Sequence, residues 1–192
     1  MTPLLVTAST IKTYGVLENN VDVKLINSTT LMIQDIQLQQ ILGTDLYNQI
    51  CDQINASTVN TYDAVSAANI TLLNDYITNF LMNAVIAEGC LTFLYRFSNK
   101  GIITANSDNQ FPITEAQLDR IIAKWQNQAD FYAKRLSDYL DQESATYPLY
   151  YNGNSDSSDI NPKIPKYNTG FYLGNKRRQN EYKKLWPYCK DC

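Results

Sequence analysis

The sequence predicts an all-α protein: an antiparallel long-helix bundle carrying an extended aromatic, basic C-terminal arm. Three observations predict it. Leu73, Ile77, Phe80, Ala84, Ala87, Leu91 and Leu94 follow one another at steps of four and three, which lays them along one stripe of a helix spanning Ile70 to Phe97. Leu118, Ile122, Trp125, Ala129, Tyr132, Leu136 and Tyr139 repeat those steps, and two matched stripes joined by a loop of moderate length pack antiparallel. Beyond Glu143 the helical period disappears and aromatic and basic residues take over. The chain therefore divides into a helical body, residues 1–143, and an arm, residues 144–192.

Taken in order, Thr7 to Tyr14 reads as a short helix with Ser9 as its N-cap and Gly15 as its stop. Asn19-Asn20 opens a second helix that runs to about Leu42, with Asp22 in its first turn. Its apolar face is read as Leu25, Met32 and Ile36, with Ile26 and Ile33 beside them. Its polar set Asn27, Gln34, Gln37 and Gln40 is uncharged. Such a face suits lateral packing against another subunit, for which Gln34, Gln37 and Gln40 are the candidates, and equally suits plain solvation. Gly43-Thr44 forms a corner, with glycine at positive φ and threonine capping a third helix that buries Leu46, Tyr47, Ile50 and Ile54. Ala56 to Ala68 is a polar surface connection.

The first long helix needs neighbours on more than one side, because Tyr76, Val85, Ile86, Phe93 and Phe97 widen its stripe. Asn99-Lys100-Gly101 ends it, and Ile102 to Phe111 either pairs as a small hairpin or loops. Thr114 caps the second long helix, with Glu115 at its positive end. In the arm, NGNSDSSD is a polar linker. Tyr147, Tyr150, Tyr151, Tyr167, Phe171, Tyr172, Tyr182, Trp186 and Tyr188 are many aromatics for a solvated tail and point to ordering on a partner.

The chain has 192 residues and a formal net charge of −3, which hides an asymmetry. Met1 to Asp159 holds 8 basic and 17 acidic residues, a net −9, whereas Ile160 to Cys192 holds 8 basic and 2 acidic, a net +6. An acidic body thus carries a basic tail, which is either solvated or meets an acidic partner. Lys176, Arg177, Arg178, Lys183 and Lys184, interleaved with Tyr167, Phe171, Tyr172, Tyr182 and Trp186, form the candidate partner-binding arm. The same residues fit phosphate neutralisation and base stacking on nucleic acid. No apolar run reaches membrane-spanning length, and MTPLLVTAST lacks the basic start and long apolar run of a secretory signal, so synthesis in the cytoplasm is expected.

Chemistry leaves few traces. The chain has no histidine, the commonest general acid–base residue, and no phosphate-binding glycine loop or nucleophile elbow. Asp75 and Glu88 show no spacing that pairs them for catalysis. Cys51 and Cys90 read as small buried residues, while Cys189 and Cys192 form half of a zinc site with nothing to complete it. The expectation is a protein that is not an enzyme and holds no metal or cofactor.

Three stretches together resemble a known family: NNVDVKLINSTTLMIQDIQLQQILGTDLYNQI, LLNDYITNFLMNAVIAEGCLTFLYRFSNKGI and DFYAKRLSDYL. They resemble the head-to-tail connector proteins of tailed phages, nearest to the neck ring proteins of phages infecting Bacteroidetes, including the crAss-like group. The similarity covers roughly Leu4 to Leu140, with the Ile41-Leu42-Gly43 corner and Phe97 to Gly101 as its most recognisable points. It implies a structural adaptor in the virion neck, assembled in the host cytoplasm. Its partners would be the portal protein, a downstream tail or second neck ring protein, and further copies of itself in a ring expected to hold twelve. Such a ring extends the DNA channel, and DNA passes through without sequence-specific binding. The motifs mark a scaffold, so no catalytic residue is carried over. The alternative is a nucleic-acid-binding packaging or assembly protein that uses the basic arm.

Overall fold

The structure, a computed structural model, describes residues 2–57, 62–98, 101–104, 114–152 and 160–162. It is mostly helical. Helix α1 (Ala8–Tyr14) is capped by Thr7, whose hydroxyl accepts from the Thr10 N–H at 3.2 Å; Ser9, the expected cap, is already the second residue of the helix. Gly15 closes it in an extended conformation, not at positive φ, and is glycine because a Cβ there would collide with the Ile11 carbonyl oxygen. The Lys12 ammonium donates to the carbonyls of Asn19 and Val21, which holds the connection to α2 (Val23–Ile33) against α1. Asp22 is the cap of α2, accepting from the Lys24 N–H, so this helix begins later than Asn19-Asn20.

A π turn, Gln34–Leu38, joins α2 to α3 (Gln39–Leu42). The Gln39 N–H reaches back five residues to the Gln34 carbonyl, and the wider turn shifts the phase of everything after it. The buried face is Ile26, Thr29, Thr30, Ile33 and Gln34 at plain α spacing, and beyond the wide turn it continues at Leu38. Met32 and Ile36, expected in the core, are exposed. The next helix, α4 (Thr44–Ala56), buries Leu46, Tyr47, Ile50 and Cys51 as the spacing predicts, with Ile54 half-buried. Thr44 does not cap it by its side chain.

The first long helix comprises α5 (Ala67–Thr71), a second π turn (Leu72–Ile77) and α6 (Thr78–Leu94). The Thr78 N–H and hydroxyl both donate to the Leu73 carbonyl, which satisfies the group that the π turn displaces. Ser66 caps α5, and Gln53 of α4 accepts from the Ser66 N–H and the Asn69 amide, tying the two helices together. Leu73, Ile77, Phe80, Ala84 and Ala87 are buried as predicted, but Leu91 is 43% exposed. The helix also ends at Leu94, not at Phe97: β1 (Tyr95–Ser98) pairs antiparallel with β2 (Gly101–Thr104), Ser98 opposite Gly101. Aromatic and β-branched residues favour that exit from the helix.

Thr114 caps α7 (Glu115–Gln142), its N–H donating to Gln117 Oε1. Helix α7 packs against α6, and α2 packs against α6 as well. The buried residues of α7 are Ala129, Ala133, Leu136, Ser137 and Leu140, all in its second half. Tyr76 stacks on Tyr139 with ring centroids 4.0 Å apart, and the Arg135 guanidinium sits over Tyr76. Together with Leu5, Val6 and Ile11 these helices enclose one hydrophobic core.

The body does not stop at residue 143. Helix α8 (Pro148–Asn152) sets Tyr147, 2% exposed, and Tyr150 into the core. The Tyr147 hydroxyl donates to the Ala68 carbonyl at 2.7 Å, its ring meets Tyr139 edge-on, and Tyr150 shares a hydrogen bond with Ser137. Burial accounts for the difference. A tyrosine whose hydroxyl finds a partner is a good core residue, and composition alone cannot separate it from an arm residue. Residues 160–162 also return to the body, at the Gly43 corner.

Candidate functional site

The Gly43 corner is where α3 ends and α4 begins, and it is held from outside. Gly43 has φ +79° and ψ 158°, a region open essentially to glycine. A Cβ at this position would lie 2.8 Å from Cγ and Cδ of Pro162. The Thr44 N–H donates to the Ile160 carbonyl at 3.0 Å, and the Ile160 N–H donates to Thr44 Oγ1 at 2.9 Å. Thr44, expected as a helix cap, thus spends its hydroxyl on the returning chain.

Two residues before that corner, at Ile41, begins a cleft of about 440 Å³ between the α2–α3 segment, α6 and α7. Its floor is apolar: Ile41, Phe80, Ala84, Ala87, Ala129 and Ala133, all buried. The cleft exists because four alanines stand where α6 and α7 face each other, and side chains that small leave the gap open. Its rim is polar apart from one residue: Ile36, Gln37, Gln40, Glu88, Gln126 and Asp130. Ile36 is 56% exposed there. Among the described residues that line the cleft, the two charged ones, Glu88 and Asp130, are both acidic. Although Asp130 as a whole is exposed, loss of hydration where its carboxyl meets the cleft raises its pKa above the usual carboxylate value.

The expected lateral residues separate here. Gln37 and Gln40 line the cleft, as a surface role requires. Gln34 does not: it is 0% exposed, its Oε1 accepting from the Leu5 N–H and its Nε2 donating to the Pro3 carbonyl, both at 3.0 Å. It is a buried bracket for the N-terminal segment, on the same inward face as Ile26 and Thr30, four residues apart in turn. The arm residues Tyr167, Phe171, Tyr172, Lys176, Arg177, Arg178, Tyr182, Lys183, Lys184 and Trp186 lie outside the described residues, as do Cys189 and Cys192. Sequence reasoning passed over Gln126 and Asp130. The signal that marks them is their place beside Ala129 on a helix whose alanines oppose those of α6.

Elsewhere the chemistry is quiet. Among the described residues no group of His, Cys, Asp and Glu is placed to hold a metal ion. No described helix is long and apolar enough to cross a membrane. Cys51 is buried, and desolvation pushes its thiol up to about 11; burial raises the Cys90 thiol as well. Tyr47 and Tyr147 are likewise held un-ionised by burial, Tyr47 donating its hydroxyl to Asp35 at 2.9 Å. Such thiols and phenols are poor nucleophiles.

No curated protein matches the chain. No solved structure matches it either. Residues 38–160, from the π turn before the Gly43 corner to the strand of chain that returns to it, match a family of unknown function, DUF6712. That match covers well over half of the sequence, includes α3 to α8 and both sides of the corner, and shows that the chain belongs to the DUF6712 family.

Proposed function

We propose that this chain is a structural protein of the tailed-phage neck, an antiparallel long-helix bundle that forms a ring between portal and tail and extends the DNA channel. The observation that carries the reading is the outer surface beside the cleft. Ile36 is exposed beside Gln37 and Gln40, an apolar and uncharged stretch bordered by Glu88 and Asp130 on the rim of the cleft, and Met32 on the preceding turn is exposed as well. Interfaces between subunits favour such patches, with charges kept away from their centres. The sequence resemblance to connector proteins supplies the rest: about twelve copies, the portal and a tail or second neck ring protein as partners, and assembly in the host cytoplasm. In this reading the extended C-terminal arm grips a neighbour in the completed ring, and the protein has no catalytic task.

Native mass spectrometry of the chain, alone and mixed with portal, tests the proposal. A ring, or a complex with portal, is the expected result, and Ile36→Lys should prevent it while leaving the fold intact. A chain that stays monomeric under both conditions overturns the reading. The basic composition of residues 160–192 favours one other function, a packaging accessory that binds DNA through the arm. In that case DNA affinity would fall steeply with salt, and neutralising Lys176, Arg177 and Arg178 would flatten the slope by nearly one unit per lost phosphate contact.

A further inference from the structure

The cleft and the corner lie on one continuous piece of chain. Gln40 and Ile41 form part of the cleft wall, and Gly43, two residues on, is the position against which Pro162 is packed. Residues 163–192 therefore leave the described structure within about one helical turn of the cleft. An extended chain covers at most ~3.3–3.6 Å per residue, so Tyr167 can reach about 17 Å from Pro162 and Phe171 about 30 Å. Both exceed the ~10–12 Å diameter of a helix with its side chains.

The chemistry on the two sides matches. The cleft offers an apolar floor of alanines and Phe80, with Glu88 and Asp130 on its rim. The segment after Pro162 offers Tyr167, Phe171 and Tyr172, followed by Lys176, Arg177 and Arg178. At about 440 Å³ the cleft falls within the range of roughly 300–1,000 Å³ typical of sites that enclose a ligand. Aromatic rings bury much area at little entropic cost, and opposite charges at the rim set their orientation.

We propose that the cleft between the α2–α3 segment, α6 and α7 is the seat of this chain's own residues 167–178, with the aromatics against the alanine floor and the basic run facing Glu88 and Asp130. The proposal goes beyond the ring reading and stands without it. In the free chain the segment covers Gln37, Gln40 and the neighbouring Ile36.

A photo-crosslinking amino acid placed at Gln37 in the full-length chain tests this, since that side chain is exposed and lines the cleft. Equal amounts of light and heavy-isotope chain are mixed, irradiated over a dilution series and mapped by mass spectrometry. The expected products join position 37 to residues 167–178 within one chain, light to light or heavy to heavy, at a yield independent of dilution. In the variant Glu88→Gln/Asp130→Asn the yield should fall by about three- to tenfold, the size expected of two partly exposed ion pairs. Circular dichroism checks that this variant and the labelled chain are folded. Mixed-isotope products that fade on dilution would mean that a second copy's arm fills the cleft. Products lying elsewhere, or none from a folded chain, would mean that the arm does not use it. Either result overturns the proposal.

Discussion

Substituting Gly43 by alanine isolates the corner on which the returning chain rests. The added methyl meets two penalties. Alanine at φ +79° and ψ 158° is strained by about 1–3 kcal/mol. The methyl also lands 2.8 Å from two carbons of Pro162, so residues 160–162 must lift. Lifting breaks the bonds from Thr44 N–H to the Ile160 carbonyl and from Ile160 N–H to Thr44 Oγ1. The groups are partly exposed and water replaces the lost partners, so each bond contributes near the lower end of ~0.5–1.5 kcal/mol. The total is about 2–4 kcal/mol, equivalent to a fall in Tm of about 5–15 °C for a domain of this size. Urea unfolding followed by circular dichroism measures it. Pro162→Gly in the same chain relieves the collision but not the backbone strain, so the double variant should recover only part of the loss. Thr44→Val, which exchanges the hydroxyl for a methyl and so removes the acceptor for the Ile160 N–H, should cost about 1 kcal/mol. If Gly43→Ala unfolds at the wild-type urea concentration, glycine is not required at this corner and the docking of Pro162 is wrong.

Four further outcomes are expected. A chain ending after Glu143 loses Tyr147 and Tyr150 from the core and should be destabilised by more than about 3 kcal/mol, whereas one ending after Pro162 keeps both and should lose far less; equal melting of these two truncated chains would mean that α8 is not part of the body. Phe80→Ala should cost about 3–5 kcal/mol and Leu91→Ala under about 1 kcal/mol, because only the first is buried; chemical denaturation distinguishes them. Gln34→Ala strands the Leu5 N–H and Pro3 carbonyl and should cost about 1–3 kcal/mol, against about 0.5 kcal/mol or less for Gln37→Ala, read from the same denaturation curves. Iodoacetamide should leave Cys51 unmodified in the folded chain at neutral pH, as peptide mapping will show. The stability linked to its thiol is complete below the unfolded value of 9.0 and drains away as pH rises toward 11, because the unfolded chain ionises first.

Most of the helical framework can be read from the sequence because local rules govern it. Thr114 before Glu115 and Gly43 between two apolar runs are each decided within a few residues of chain, whereas Asp22, read as a first-turn residue, is the cap itself. The stripe from Leu73 to Ala87 is read correctly for the same reason. Leu91 fails because periodicity says which residues share a face but not how far the neighbours extend along it. Gln34 and Ile36 fail together, since the inward face runs through Ile26, Thr30 and Ile33 and not through Leu25 and Met32, and polar Thr30 and Gln34 on it hide that face from a reading by hydrophobicity. Tyr147 fails because its partner, the Ala68 carbonyl, lies 79 residues away in the chain. The cleft was half legible: its glutamines stood out as an uncharged face, but its floor depends on which alanines meet across two helices.

The two π turns also set where this chain can change length. Each holds one residue more than an α-helix needs to cover the same path. Deleting a residue within Gln34–Leu38 or Leu72–Ile77 lets the helix close into plain α geometry, and the surfaces on either side keep their alignment. Deleting one between Ala84 and Ala87 has no such slack, and everything beyond it turns by about 100° relative to what came before. Single-residue gaps between this chain and its relatives should therefore collect at those two turns, and a gap placed elsewhere in these helices by an alignment is better moved to the nearest of them.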